Sequence, residues 1–322
     1  MDQLDRDLVA ALHLNPRATV RALSKTLGIR EHVVATRIRR LESASEMRVM
    51  ALLEMSTMGF EHYVIFGIRV GDVPPGLVAK ELVQIPEVQG LVSTSGRFEL
   101  TGTLFARDKA HLRELLDQRI GTVRGIQDLE SSLVLETLAW EDIATLSGDL
   151  TPTAWPVTDE IAADIDCFDQ RIISTLQVDG RMPMREIGRT LDTPEATIRS
   201  RIRRLQAKKF IRLAVVSDIS SFRTGVTAWI SLRVGDGQLT EVASALQSNA
   251  EFAFVALTMG RFNLQGLLLP TPREDLDDLV FRRLSGMAGV KQVELAEILS
   301  VHKSDIRITP PKPALLNTEV NV

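Results

Sequence analysis

Cysteine is nearly absent from this sequence: Cys167 stands alone among 322 residues, which excludes an internal disulfide framework and a cysteine-rich metal site. The five histidines (13, 32, 62, 111 and 302) are scattered without metal-ligand spacing, so no metal is expected. No apolar run approaches the roughly 18 residues of a membrane span. The first residues, "MDQLDRDLVA", are acidic where a secretory leader would be basic and then apolar. A cytoplasmic location is the expectation. No P-loop, dinucleotide fingerprint or nucleophile elbow is written anywhere, so neither a cofactor nor enzymatic activity is expected.

What is present is an ordinary globular composition, 44% hydrophobic and 25% charged, in a chain longer than one core usually serves. The net charge of −4 hides a local pattern. Residues 1–48 carry nine Arg/Lys against six acids, and residues 165–212 carry eleven against six. Two basic islands therefore sit in an acidic remainder, and both contain the phrase "RIRRL", at 37–41 and again at 201–205.

That phrase belongs to a longer repeat. Shifting the chain by 164 positions sets Asp5 on Asp169, Leu12 on Leu176, Arg17 on Arg181, Leu27 on Leu191 and Glu31 on Glu195. "RVGD" meets "RVGD" at 69 and 233, and "GRFEL" meets "GRFNL" at 96 and 260, with no gap from Leu4 to Leu135. The chain is an internal duplication.

Each copy divides in two. Apolar residues at helical spacing (Leu4, Leu8, Leu12; Val20, Leu23, Leu27; Val34, Ile38, Leu41) predict three helices in its first part. Asn15-Pro16 and Gly28 punctuate copy one, and Asp179-Gly180 and Thr193-Pro194 punctuate copy two. Thr193, Pro194 and Glu195 read as cap, first turn and favourable dipole charge, a firmer start than Ile29-Arg30. The second part reads strand–helix–strand–strand–helix–strand, a ferredoxin-like βαββαβ unit with one sheet face left to pair with a second unit. The expected fold class is α+β, twice over. The expected divisions are 1–50 and 165–214 (winged helix-turn-helix), 51–142 and 215–306 (regulatory), 143–164 (linker) and 307–322 (flexible tail).

Three short helices with a basic third one fit a unit that binds double-stranded DNA. With Val34, Ile38 and Leu41 inward, the groove side holds Arg30, His32, Thr36, Arg39 and Arg40. In copy two Arg199, Ser200, Arg203 and Arg204 take that side, beside Ala196. Arginine suits phosphate or guanine, and Ser/Thr suit either backbone or base. Arg37 and Arg201 fall nearer the buried flank, where a structural ion pair or a packing role is expected. The larger charge excess and firmer helix start predict that copy two contributes more affinity, on half-sites that differ.

The stretches "LDRDLVAALHLNPRATVRALSKTLGIREHVVATRIRRLE" and "FDQRIISTLQVDGRMPMREIGRTLDTPEATIRSRIRRLQ" resemble the N-terminal domain of the Lrp/AsnC (feast/famine) regulators. The rest of each copy resembles that family's regulatory (RAM) domain. The chain departs from the family at Arg30 and Pro194 before the third helix, at Ser45 and Lys209 after it, and in being a tandem fusion. The resemblance implies DNA binding, homo-oligomers through the RAM sheets, and a small effector such as an amino acid near the β2–β3 turns. The candidate effector residues are then Thr94, Ser95, Gly96, Arg97 and Glu99 in copy one, and Thr258, Met259, Gly260, Arg261 and Asn263 in copy two. Arg97 would hold a carboxylate and Glu99 an amine, a charge Asn263 lacks, so the two pockets would differ. By themselves Gly96 and Gly260 read as the first residues of type II′ hairpin turns.

Two other readings remain. Siroheme decarboxylases also look like two Lrp-type halves, some fused in one chain. The arginine-rich third helices, the single tyrosine Tyr63 and the lack of a histidine–arginine cluster around the last strands speak against that reading. The other is a metabolite-binding module without DNA contact.

Overall fold

The computed structural model describes residues 1–140, 143–144, 164–218, 225–235 and 237–310. Its first helix, α1 (Gln3–Leu14), opens on a capping box: Asp2 accepts the Asp5 amide at 2.9 Å, and Asp5 accepts the Asp2 amide at 3.1 Å. Helices α2 (Val20–Leu27) and α3 (Glu31–Ser43) complete the first unit around Leu8, Leu12, Leu23, Val34, Ile38 and Leu41, the stripe that the periodicity predicts.

Strand β1 (Met47–Glu54) follows, buried along most of its length because both of its faces are covered. A short 3₁₀ turn leads to β2 (His62–Val70), α4 (Pro75–Leu82), β3 (Val88–Thr94) and β4 (Leu100–Ala106). Helix α5 (Lys109–Glu114) runs on as wider π-type turns into β5 (Ile126–Trp140), and β6 (Ile143–Ala144) ends the copy.

Copy two repeats the order with α6 (Cys167–Val178), α7 (Met184–Thr190), α8 (Glu195–Ala207), β7 (Ile211–Asp218) and β8 (Val226–Val234). Then come α9 (Leu239–Gln247), β9 (Phe252–Met259), β10 (Leu264–Thr271), α10 (Arg273–Asp277), β11 (Val290–Ser304) and β12 (Ile308–Thr309).

The third helices start alike. Thr193 does not cap α8: Pro194 holds the cap position with no side-chain bond, and the Thr193 hydroxyl donates to the Leu191 carbonyl at 3.1 Å. Arg30 caps α3 equally poorly. A proline at the cap pushes Thr193 back by one residue, out of reach of the free amides, so the firmer start expected of copy two is absent.

The two helical units are locked together. Strands β1 and β7 pair antiparallel from Met47↔Ser217 to Leu53↔Ile211. The central pair, Met50↔Ala214, joins residues at equivalent places in the two copies, so a pseudo-two-fold axis passes there. Ala51 and Leu53 pack under copy two's helices, Met47 and Val49 under copy one's, and Met50 and Leu52 face Ile306 on the other side. Arg17 donates to the Met182 carbonyl at 2.7 Å, and Arg181 returns the contact to the Pro16 and Ala18 carbonyls at 2.8 and 2.9 Å.

The regulatory sheets, β3-β4-β2-β5 and β9-β10-β8-β11, curve toward each other and close an eight-stranded barrel within one chain. Each last strand serves both sheets. The first part of β5 pairs with β2, and the part from Leu133 to Trp140 pairs with β9. Likewise β11 passes from β8 to β3. The outer faces carry the helices, with Val78, Leu82 and Leu115 on one sheet and Val242, Leu246 and Leu279 on the other. The face-to-face pairing expected of the two sheets is thus met inside the chain, and the edges are consumed as well.

Of the expected linker, all but Ile143, Ala144 and Asp164 lies outside the described residues; β6 pairs with β7. The expected flexible tail is corrected at its start, where Leu53↔Ile308 and Glu54↔Thr309 pair in parallel; residues 311–322 lie outside the described residues. An open edge of β1 offers unpaired backbone groups, which explains why these residues add to it.

Candidate nucleic-acid interface and ligand cavities

The phrase "RIRRL" has a divided role. Asp5 and Asp169, which are 2% and 0% exposed, lie beneath the third helices. Asp5 accepts Arg37 at 2.7 Å and Arg40 at 2.5 Å. Asp169 accepts Arg201 at 3.2 Å and also Arg204. Positions one and four of the phrase share a helix side, so both point at the buried carboxylate. Arg37 and Arg201 are the structural ion pairs expected of them. The placing of Arg40 and Arg204 on the groove side is corrected: these guanidinium groups tie the third helix to the first. Arg40 also reaches Glu46 at 3.4 Å, and Arg204 the Asp164 carbonyl at 3.1 Å.

Position three is the outward one. Arg39 is exposed and, among the described residues, bonds its own helix through the Ala35 carbonyl at 3.2 Å, and Arg203 is exposed. Arg30, His32, Thr36, Arg199 and Ser200 are exposed as well, and Arg199 pairs with Glu195 one turn back. Arg37 donates to Asp2 at 2.6 Å, and this bond holds the Asp2 carboxyl below its ordinary range.

The hairpin turns are not the pockets expected of them. The Thr94 hydroxyl donates to the Phe98 carbonyl at 2.9 Å, and Thr258 does the same to Phe262 at 2.9 Å. The Ser95 hydroxyl accepts the Glu297 amide at 3.0 Å. Glu99 accepts the Val70 amide at 2.8 Å, and Asn263 accepts the equivalent Val234 amide at 2.8 Å. Glu99 and Asn263 therefore do one structural job, and the amine-binding role and inequality expected from their charge are corrected. Met259 is exposed, 59%, on a strand end. The turns are longer than a two-residue type II′ hairpin. Gly96 has φ +100°, which requires glycine, whereas Gly260 does not have positive φ and is demanded by Ser132, whose hydroxyl would lie 2.4 Å from an added Cβ.

A cavity of about 340 Å³ lies inside the barrel, and of those ten residues Arg97 is the one in its lining. This cavity straddles the pseudo-two-fold axis. Glu130 and Glu294, equivalent residues on β5 and β11, both line it, as do Phe98 and Phe262. Arg97 pairs with Glu130 at 2.8 Å and Arg261 with Glu294 at 3.2 Å, and each arginine lies over the next phenylalanine ring, at 5.2 and 5.5 Å. The Arg97 Nε is buried without a hydrogen-bond partner. Trp229 donates to the Gln265 side chain at 3.0 Å at the cavity wall.

A second cavity of about 310 Å³ lies between the sheets, with Trp229 also in its wall. Tyr63, Phe105, Trp140 and Phe254 supply the rest of its aromatic lining. Burial pushes the Tyr63 hydroxyl well above its usual pKa. Sequence reasoning missed Glu130, Glu294 and all these rings. The signal available was the charge retained at equivalent places in both last strands.

Among the described residues there is no helix long and apolar enough to cross a membrane, and no cluster of metal-ligating side chains. The AsnC-type helix-turn-helix domain matches residues 1–42 and 165–206, and the Lrp/AsnC ligand binding domain matches residues 64–141. The chain is similar to the HTH-type transcriptional regulator FL11 of Pyrococcus furiosus, 30% identical over 140 residues that make up 43% of this chain and 92% of that protein. In fold it is similar to the siroheme decarboxylase NirDL in complex with an iron-uroporphyrin III analogue. That match has TM-score 0.65 and 16% identity, and covers 94% of this chain and 93% of that one. A second structure of NirDL matches with TM-score 0.64 and 14% identity, over 97% of this chain and 94% of that one.

The expectation that the chain is no enzyme is corrected by these matches, because the fold spanning both halves is one that an enzyme uses. With both helical units and a ligand-binding domain matched, and a regulator aligned over nearly its whole length, the chain belongs to the Lrp/AsnC family, as a tandem of two fused units.

Proposed function

We propose that the chain is a DNA-binding transcriptional regulator in which the units 1–50 and 165–214 grip two unlike half-sites and the regulatory units 51–142 and 215–306 hold a small effector. The observation that carries this reading is the outward pair Arg39 and Arg203, exposed on third helices that buried Asp5 and Asp169 hold in place. Exposed guanidinium groups on a braced helix suit a phosphate backbone, and Thr36 and Ser200 beside them suit base or phosphate contacts. Because β1 and β7 pair, the two helical units would move as one body, fixing the spacing of the half-sites. Binding to duplexes selected from a random library, followed against salt, tests the proposal; salt-independent binding or none refutes it.

For the effector, the cavity on the pseudo-two-fold axis suits a zwitterion of amino-acid size. Its carboxylate would meet the unpartnered Arg97 Nε and its amine Glu294. The site is then inside the barrel and unique in each chain. Calorimetry with an amino-acid panel, repeated on Glu294→Gln, tests it.

The whole-chain likeness to NirDL favours a second reading, in which the barrel accepts a carboxylated tetrapyrrole and releases carbon dioxide from it. Trp229 lines both cavities, so a macrocycle would need that ring displaced. Incubation with siroheme, read by absorbance and product mass, decides this reading.

A further inference from the structure

We infer that the chain reads its DNA site in one orientation only, because Arg199 of α8 takes a guanine that the half-site under α3 lacks. This rests on the regulator reading above and adds the base and the direction that it leaves open. A recognition helix touches base edges with its first residues. In α3 these are Glu31, His32, Ala35 and Thr36, and in α8 they are Glu195, Ala196, Arg199 and Ser200. The first position is glutamate in both helices, and the sixth carries a hydroxyl in both. The second and fifth are exchanged in character: a ring and then a methyl in α3, a methyl and then a guanidinium in α8.

These side chains lie on open faces. Ala196, Arg199, Ser200 and Arg203 are exposed and border one hollow along α8, while Ile198 and Ile202 are buried on the other side. On α3 the hollow is bordered by His32 and Thr36 and reaches back to Asp2 at the start of α1; Ala35 is half-buried and outside it. Arg199 donates through Nη2 to Glu195, one turn back. A guanidinium has five N–H groups, so this bond aims the fork and leaves four of them free. Guanine offers O6 and N7 side by side to two such donors, whereas the Ala35 methyl has no donor and suits a thymine methyl. The Arg199 charge, seated between two rows of phosphates, still displaces counterions, so salt slope and base preference are separate readouts.

Direction follows from the fusion. Strands β1 and β7 pair about the axis at Met50↔Ala214, so the two third helices meet DNA as an inverted pair. A dimer of identical chains carries one helix twice and cannot tell the two ends of its site apart. Here one α3 and one α8 are held in a single body, so the guanine arm fixes which copy lies on which side. The bracing frame is shared: Glu31 matches Glu195, and all five residues of "RIRRL" are identical in the two copies. The base-facing second and fifth positions are not shared.

The test is selection of duplexes from a random library by the full chain, followed by cleavage of the selected site with an iron chelate attached to Cys167. Cys167 is exposed at the start of α6, next to Asp166, which accepts Arg201 of α8, so the chelate marks the arm under copy two. Expected is an inverted pair of arms, one with a G·C pair that the other lacks, cut on the guanine arm alone. Changing that pair should weaken binding about tenfold or more. Arg199→Ala should remove this dependence, while Arg203→Ala weakens binding to all sequences alike. His32→Ala with Ala35→Arg gives α3 the residues that α8 already has, and should turn the selected site into a palindrome cut on both arms. If that double variant melts early, Arg199→Ala alone decides. Three results overturn the inference: a symmetric site for the unaltered chain, equal cuts on both of its arms, or a guanine preference that survives Arg199→Ala. Salt-dependent binding without any base preference sinks this inference alone, whereas no DNA binding at all refutes the regulator reading beneath it.

Discussion

Substituting Arg39 and Arg203 together should weaken DNA binding without weakening the fold, and substituting Arg40 and Arg204 should do the reverse. Arg30, Arg39, Arg199 and Arg203 are the exposed arginines on or just before the third helices that no buried carboxylate among the described residues claims. If each neutralises one phosphate, the slope of log affinity against log salt is about −3.6, and affinity falls about 150-fold between 50 and 200 mM salt. Arg39→Ala with Arg203→Ala should bring the slope to about −1.8 and the fall to about 12-fold. Both side chains are exposed, so stability should stay within about 0.5 kcal/mol.

Arg40→Ala leaves a buried carboxylate short of one of its two guanidinium partners. That costs about 1–3 kcal/mol, a loss of several degrees in melting temperature. Fluorescence anisotropy over a salt series and thermal melts on the same samples separate the two effects. If the Arg40/Arg204 variant flattened the salt slope while its melting was unchanged, and the Arg39/Arg203 variant did neither, the division of the repeated phrase would be wrong.

Other outcomes follow from particular contacts. Ser45 and Lys209 have φ of 54° and 59°, so Ser45→Gly and Lys209→Gly should each stabilise by about 1 kcal/mol, read from denaturant midpoints. The Asp2 carboxyl is held below its ordinary range by Arg37, so its contribution is complete above about pH 4 and is lost as pH falls through the lower folded value. Melts of Asp2→Asn across that range should show a weaker acid dependence than the parent. Trp229→Ala should join the two barrel cavities and, on the tetrapyrrole reading, raise siroheme uptake; unchanged absorbance counts against that reading. Arg17→Ala with Arg181→Ala removes three contacts between the helical units and should lower the melting temperature.

The third helices were legible because Val34, Ile38 and Leu41 and their counterparts obey one period. Strand β1 was harder to read. "MRVMALLE" is apolar almost throughout, since both faces are covered, and such a run does not declare itself strand or helix. Helical angles alone set Arg40 near the groove, but Asp5 lies 35 residues away in sequence and claims it. The same holds for Glu99, whose charge suggested a ligand's amine while its carboxylate closes a loop on Val70.

The sequence alone determined that there are two copies, where their helices lie and which pieces are basic, because these are matters of periodicity and composition along one chain. Tertiary structure decided which arginine of each "RIRRL" faces outward, that the two sheets close a barrel within one chain, and that Glu130 and Glu294 border a cavity. Those outcomes depend on which distant residue approaches in space, and a repeat that reads identically in both copies carries no record of the axis that relates them.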